Sequence, residues 1–175
     1  NLLAVYYDTI EQDLRNTKVA LRIRKENGKY IQTFKASVVS ASEDKSLGAA
    51  ISRRVELNFP VLGTKLDLDL LRGDPDAEEV FRNIEISNLK PVFETHVRRT
   101  IRDIHFGSSI IEMAIDSGEI IAGDKVAPIH EVELELIKGN EEEIYTLSEL
   151  LAGRFSFKQG GASKAARGYM LANLD

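Results

Sequence analysis

Residues two apart on an extended strand share a face, and this chain repeatedly sets charged side chains at that spacing with apolar ones between. Arg22 and Arg24 alternate with Leu21 and Ile23, and Arg54 and Glu56 with Val55, Leu57 and Phe59. Glu112 and Asp116 stand opposite Ile111, Met113 and Ile115, and Glu131, Glu133 and Glu135 opposite Val132, Leu134 and Leu136. Lys35 shares a face with Thr33, while Glu94, His96 and Arg98 form another polar row. A period of two sustained along several segments argues for strands with one apolar and one ionic face, the pattern of an antiparallel sheet.

The punctuation between these segments supports hairpins. Val19–Lys25 and Lys29–Ala36 flank Glu26-Asn27-Gly28, and Asn-Gly supplies the positive φ values that a tight hairpin turn needs. Pro91–Ile104 and Ser109–Asp116 make a second hairpin through Gly107. Leu2–Tyr7, Ser52–Val61 and Ile129–Lys138 read as further strands, giving about seven. Ile10–Arg15 fits one helical turn with Thr9 as N-cap, and Ser37–Ala50 reads as a polar loop. Leu66–Leu71 and Ala77–Ile84 are helical pieces around Gly73-Asp74-Pro75, with Asp74 and Asp76 as capping candidates. Glu141–Arg154 is an amphipathic helix with Ile144, Leu147, Leu150 and Leu151 on one side. The tail from Gly160 is polar and basic before Tyr169–Leu174. The class expected is mainly β (α+β): one domain over residues 1–175, its antiparallel sheet curled towards a barrel.

Bulk composition narrows the chemistry. A net charge of −5 over 175 residues supplies no field for nucleic acid or an anionic membrane, so neither partner is expected. The chain has no cysteine, which excludes disulfides, thiolate zinc sites and a cysteine nucleophile. It is compatible with a reducing, cytoplasmic setting. No apolar run approaches membrane-spanning length. A homodimer is compatible with this composition.

The ionic faces have two readings. One is a solvated outer face with cross-strand salt bridges. In the other, helices cover the apolar face and the ionic face lines the lumen of a barrel. Guanidinium groups then match phosphate oxygens, and clustered carboxylates take hard divalent ions that also bridge phosphates.

Taken in order, Tyr6-Tyr7-Asp8-Thr9, Ala20-Leu21-Arg22-Ile23-Arg24, Gln32-Thr33-Phe34-Lys35, Arg54-Val55-Glu56-Leu57, Pro91-Val92-Phe93-Glu94-Thr95, Ile111–Asp116, Glu131–Leu136 and Ser163–Tyr169 resemble the CYTH family, the triphosphate tunnel metalloenzymes. The spacing is most similar to the bacterial inorganic triphosphatase branch. The resemblance implies an eight-stranded antiparallel β tunnel with flanking helices. It also implies Mg²⁺- or Mn²⁺-dependent hydrolysis of inorganic triphosphate or a related small-molecule triphosphate or polyphosphate. The alternatives are a non-catalytic polyphosphate-binding module, and a thiamine-triphosphatase or class IV adenylate cyclase-like activity.

Carried over by position, the resemblance implies that Arg22, Arg24 and Lys35 grip phosphate, with Arg54, Arg98, Lys164 and Arg167 as further contacts. It implies metal ligation by Glu133 and Glu135, helped by Glu56, Glu112 and Asp116, and a catalytic set of Lys35, Glu133 and Glu135. His96 and Glu94 stand where relatives often carry basic residues, and His105 and His130 are expected on the surface. The family opens on a Glu-x-Glu-x-Lys strand that this chain does not contain. The expectation is therefore an N-terminal segment of roughly 20–40 residues, one strand plus a connecting helix, before Asn1.

Overall fold

The computed structural model describes residues 1–39, 52–156 and 161–172. The first strand, β1 (Leu2–Asp8), runs into a short turn of helix, α1 (Asp13–Asn16), and then into β2 (Val19–Glu26) and β3 (Lys29–Val39). Asn27 and Gly28, with φ of 50° and 79°, make the β2–β3 turn, as the Asn-Gly pair predicts. After β4 (Ser52–Val61) come a 3-10 turn at Leu68–Leu71, α2 (Pro75–Phe81) and a second 3-10 turn at Ile86–Asn88. Three long strands follow, β5 (Lys90–Phe106), β6 (Ser109–Ala122) and β7 (Lys125–Lys138), then α3 (Glu141–Phe155) and α4 (Lys164–Ala172). Most of the polar loop expected after Ala36 falls on residues 40–51, outside the described residues; β3 itself continues to Val39.

All seven strands belong to one sheet in the order β4-β3-β2-β1-β5-β6-β7, and every pairing is antiparallel. Two meanders, β2–β4 and β5–β7, thus meet on β1. The second is longer than the sequence suggests, because Ile120 and Ile121 extend β6 and Gly123-Asp124 turns it into β7.

The apolar stripes divide between two cores. Leu21, Ile23, Phe34 and Val55 face outward on the first meander and pack with Leu71, Ala77 and Ile84 from the helical stretch after β4. Buried Gln32 fixes that stretch: its Oε1 accepts from Asp67 N at 2.8 Å and its Nε2 donates to Asp67 O at 2.7 Å. On the second meander α3 lies against β7, burying Leu147 but leaving Leu150 exposed. The second core sits on the opposite, inner face, where Tyr169 of α4 meets Tyr6, Phe93, Val97, Ile120 and Ile129. Gly168 makes this contact possible, because a Cβ there would come within 2.1 Å of the Phe93 ring. The tail therefore supplies an inner helix, an element that its polar composition did not announce.

Candidate functional site

Between α4 and the inner face of the sheet lies a cavity of about 920 Å³. Its walls come from the charged rows. Strand β2 contributes Arg22 and Arg24, β3 Thr33 and Lys35, and β4 Glu56; opposite them β5 contributes Arg99, β6 Asp116, and β7 Glu133 and Glu135. Arg15 and Lys18 line it at α1, and Lys164 and Tyr169 from α4. Among the described residues, seven cationic and four carboxylate side chains thus face one space, a surplus of three positive charges there in a chain whose net charge is −5. These rows line one cavity rather than an open outer face, and on β2–β4 the opposite, apolar parity packs beneath the helical stretch after β4.

The basic wall carries donors that no group among the described residues answers. Arg22 Nη1 donates to Tyr6 Oη at 3.2 Å, and Arg24 Nη2 stands 3.3 Å from Glu26 Oε2. The Nε atoms of both arginines are buried without a partner. Burial, and then the neighbouring Arg22 charge, hold the Arg24 guanidinium below its usual pKa. A buried donor left unmade is costly, and an anion between the two would answer both. Lys35 Nζ lies 2.8 Å from Glu56 Oε2 across the β3–β4 ladder.

The opposite wall is acidic and internally paired. Arg99 Nε and Nη2 donate to the two oxygens of buried Asp116, and Nη2 also reaches Glu133. Lys164 Nζ sits 2.7 Å from Asp116 Oδ2 and 2.9 Å from Glu133 Oε1, and it also contacts Glu131. Burial pushes the Asp116 and Glu133 carboxyls up, yet the hydrogen bonds from Arg99 and Lys164 on Asp116, and from Lys164 on Glu133, leave both below the ordinary carboxylate range. Asp116, Glu131 and Glu133 each offer a carboxylate oxygen within 4.8 Å of the others. Three hard oxygen donors at that spacing suit a divalent cation, and Lys164 answers the same charge with its ammonium.

The placement of the residues singled out from sequence is mixed. Arg22, Arg24, Lys35, Glu56, Glu133, Glu135 and Lys164 all line the cavity. Arg98 does not: it is exposed, and its neighbour Arg99 points inward. The polar row Glu94, His96 and Arg98 is the outer row of β5, with Glu94 and His96 3.1 Å apart. Thr95, Val97 and Arg99 form the inner row. Of the five carboxylates expected at the metal, Glu133 and Asp116 belong to the close group, which Glu131 completes. Glu56 stands on β4 against Lys35, while Glu135 and its ladder partner Glu112 lie one inward position beyond Glu133 and Ala114. Arg167 donates to Glu131 and to the Pro128 carbonyl, so it braces α4 against β7. The side chain of Arg54 falls outside the described residues. His105 and His130 are exposed.

Three charged cavity residues, Arg15, Lys18 and Arg99, were not singled out. Arg99 had a signal in the parity of Phe93, Thr95 and Val97. Arg15 and Lys18 lie outside any strand, where alternation is silent.

The sequence profile of the CYTH domain matches residues 1–169. Over 169 residues the chain is 35% identical to the inorganic triphosphatase of Haemophilus influenzae, a match covering 95% of this chain and 44% of that protein. The chain thus spans less than half the length of the curated relative it matches. Among solved structures, a Bacillus halodurans protein described as a candidate adenylate cyclase aligns with a TM-score of 0.56 at 20% identity, covering 95% of this chain and 80% of that one. A Hippeastrum protein described as a candidate adenylyl cyclase with a dominant triphosphatase activity aligns with a TM-score of 0.56 at 19% identity, covering 97% and 81%. At these identities the two structures show a shared fold. Among the described residues no helix is long and apolar enough to cross a membrane.

Proposed function

Because the chain belongs to the CYTH domain family, we propose that its cavity holds inorganic triphosphate, or a close small-molecule relative, and hydrolyses it with the help of a divalent metal. The observation that carries this reading is the surplus of cations on the cavity wall together with the unanswered buried Nε atoms of Arg22 and Arg24. The name of the Haemophilus relative supports the same substrate and reaction.

In this reading Arg22, Arg24 and Lys35 bind and orient the phosphate chain, each donor matching an acceptor oxygen on a polyanion. Arg99 sits between Asp116 and Glu133, where it holds both carboxylates in place. Asp116, Glu131 and Glu133 are the residues that would hold Mg²⁺ or Mn²⁺, and Glu135 stands beside them on β7. A metal bound there would supply charge neutralisation on the phosphoryl oxygens and a more acidic water. No side-chain nucleophile is needed, since phosphoryl transfer rests mainly on positioning and electrostatic stabilisation. A cytoplasmic setting belongs to the same proposal. So does an eighth strand pairing with β4 and β7, the edge strands of the sheet among the described residues, because unpaired sheet edges invite pairing.

The test is calorimetric titration of triphosphate into the chain and into Arg24→Gln, beside phosphate release from triphosphate, thiamine triphosphate and ATP with Mg²⁺ or Mn²⁺. Loss of one charged hydrogen bond, about 1.5–3 kcal/mol, weakens binding by roughly ten- to hundredfold. Equal affinity in both proteins would end the reading. Binding without phosphate release under any metal would make the domain a polyphosphate-binding module.

A further inference from the structure

The cavity's cations fall into two groups once their partners are traced. Lys35 pairs with Glu56, Arg24 with Glu26, and Arg99 and Lys164 with Asp116 and Glu133. Arg15 and Lys18 line the same cavity and, like Arg22 further along the wall, whose side-chain partner is the Tyr6 hydroxyl, form no ion pair with a carboxylate among the described residues. Arg15 is nevertheless held firmly. Its Nη1 donates to Gln12 Oε1 at 2.7 Å, and its guanidinium lies 5.5 Å from the centre of the Tyr169 ring on α4. Its backbone N donates to buried Asp8 Oδ2 at 3.0 Å. Lys18 follows in a left-handed turn, φ 58°, with its N donating to Arg15 O at 2.9 Å. That turn sets Lys18 beside Val19, the first residue of β2.

The positions form a progression along one wall. Arg24 and Arg22 occupy successive inward positions on β2, and the next one, Ala20, is the ladder partner of Lys35. Two residues before Ala20 stands Lys18, which lines the cavity and is exposed, and its backbone N is bonded to the Arg15 carbonyl. We propose that Arg15 and Lys18 form a second anion subsite at this end of the wall, which takes a further phosphate of a linear chain longer than triphosphate. The proposal rests on the reading that Arg22, Arg24 and Lys35 grip triphosphate further in. Two cations without a carboxylate call for more anion; a neutral organic substituent on the terminal phosphate would leave both unanswered. A guanidinium held by its own side-chain partner and stacked on an aromatic ring loses little freedom on binding, which favours phosphate capture by its fork.

The experiment is titration calorimetry without divalent metal, so that nothing is hydrolysed, using inorganic triphosphate, tetraphosphate and a longer linear polyphosphate. The expected result is that the parent binds tetraphosphate about tenfold or more tightly than triphosphate. In the Arg15→Gln, Lys18→Gln double variant that ratio falls to about one. Lys18→Gln alone, at an exposed position that the fold does not depend on, lowers the ratio part of the way. A parent that binds triphosphate with no length preference overturns the subsite and leaves the inner grip standing, as does a double variant that weakens every length by the same factor. A parent that binds no phosphate of any length fails the underlying reading itself.

Discussion

Arg99 and Asp116 form a two-pronged ion pair, with Nε 2.8 Å from Oδ1 and Nη2 2.7 Å from Oδ2, on adjacent strands whose register sets them side by side. Asp116 is fully buried, so its charge depends on its partners. Removing one partner of a buried pair is far more costly than removing an exposed charge. Arg99→Ala is expected to lower stability by about 3 kcal/mol, whereas the adjacent Arg98→Ala stays within about 0.5 kcal/mol. Denaturant unfolding of the two variants checks this; equal losses would place both arginines on the same side of β5.

Gly168 bears on the site without touching any ligand. An added Cβ would enter the Phe93 ring, and Phe93 is stacked on Tyr6 at 4.5 Å and edge-on to Tyr169 at 5.2 Å, so it has little room to yield. Gly168→Ala is expected to destabilise the fold by about 1–3 kcal/mol through overpacking. Hydrogen exchange in α4 should speed up well before that in β2 and β3. Uniform exchange changes across the sheet would count against α4 as the affected element.

Lys164 occupies the three carboxylates that would hold a divalent cation in the proposed reading, so the two would compete for them. Without Lys164 and without metal, Asp116, Glu131 and Glu133 repel one another. Lys164→Ala should therefore melt at lower temperature than the parent in EDTA, yet gain more on addition of Mn²⁺. Thermal midpoints of both proteins with and without the metal decide it. Equal increments would mean that the ion binds elsewhere.

The Lys35–Glu56 pair predicts a pH dependence. The hydrogen bond from Lys35, partly opposed by burial, holds the Glu56 carboxyl below its ordinary value. A depressed folded pKa contributes stability above the unfolded value, about 4.3, and that contribution is lost as pH falls through the lower folded value. Glu56 is more than a third exposed, so screening keeps the effect small. In Lys35→Ala the Glu56 carboxyl should titrate upward, towards the unfolded value, by carbon-detected NMR. A Glu56 titration unchanged from the parent would show that Lys35 is not its partner in solution.

Much of this architecture was legible from alternation, and its one clear failure has a physical cause. On β2, β3 and β4 the apolar residues point outward beneath the helical stretch after β4, so the charged parity is the inner one. The same rule applied to β5 selects Glu94, His96 and Arg98, which is the wrong row. There the inner face is the apolar one over Phe93 and Val97, because α4 packs inside the sheet and buries them. Arg99 continues that inner parity, and its neighbour in sequence is also an arginine, so residue type offered no vote. Glu131 was aligned with Glu133 and Glu135 from the start. Only the β6–β7 register, which sets Glu131 opposite Asp116, distinguishes it as part of the close carboxylate group. Arg15 and Lys18 were hidden because a four-residue helix followed by a left-handed turn has no periodicity to read.

The strand order also carries a kinetic consequence. Each meander closes through neighbours in the chain, so the β2–β3 and β5–β6 hairpins need only short loops to form. The β1–β5 ladder is different: Leu2 faces Val97 and Tyr6 faces Phe93, joining segments almost a hundred positions apart. Loop closure over that distance is entropically unfavourable and slows folding. The basic and acidic walls can therefore each acquire secondary structure while still strangers to one another. β1 carries no charged residue before Asp8, yet its docking onto β5 is the event that turns two charged ribbons into one cavity. Slow refolding variants are thus to be sought among Ala4, Tyr6 and Phe93 rather than among the arginines and glutamates.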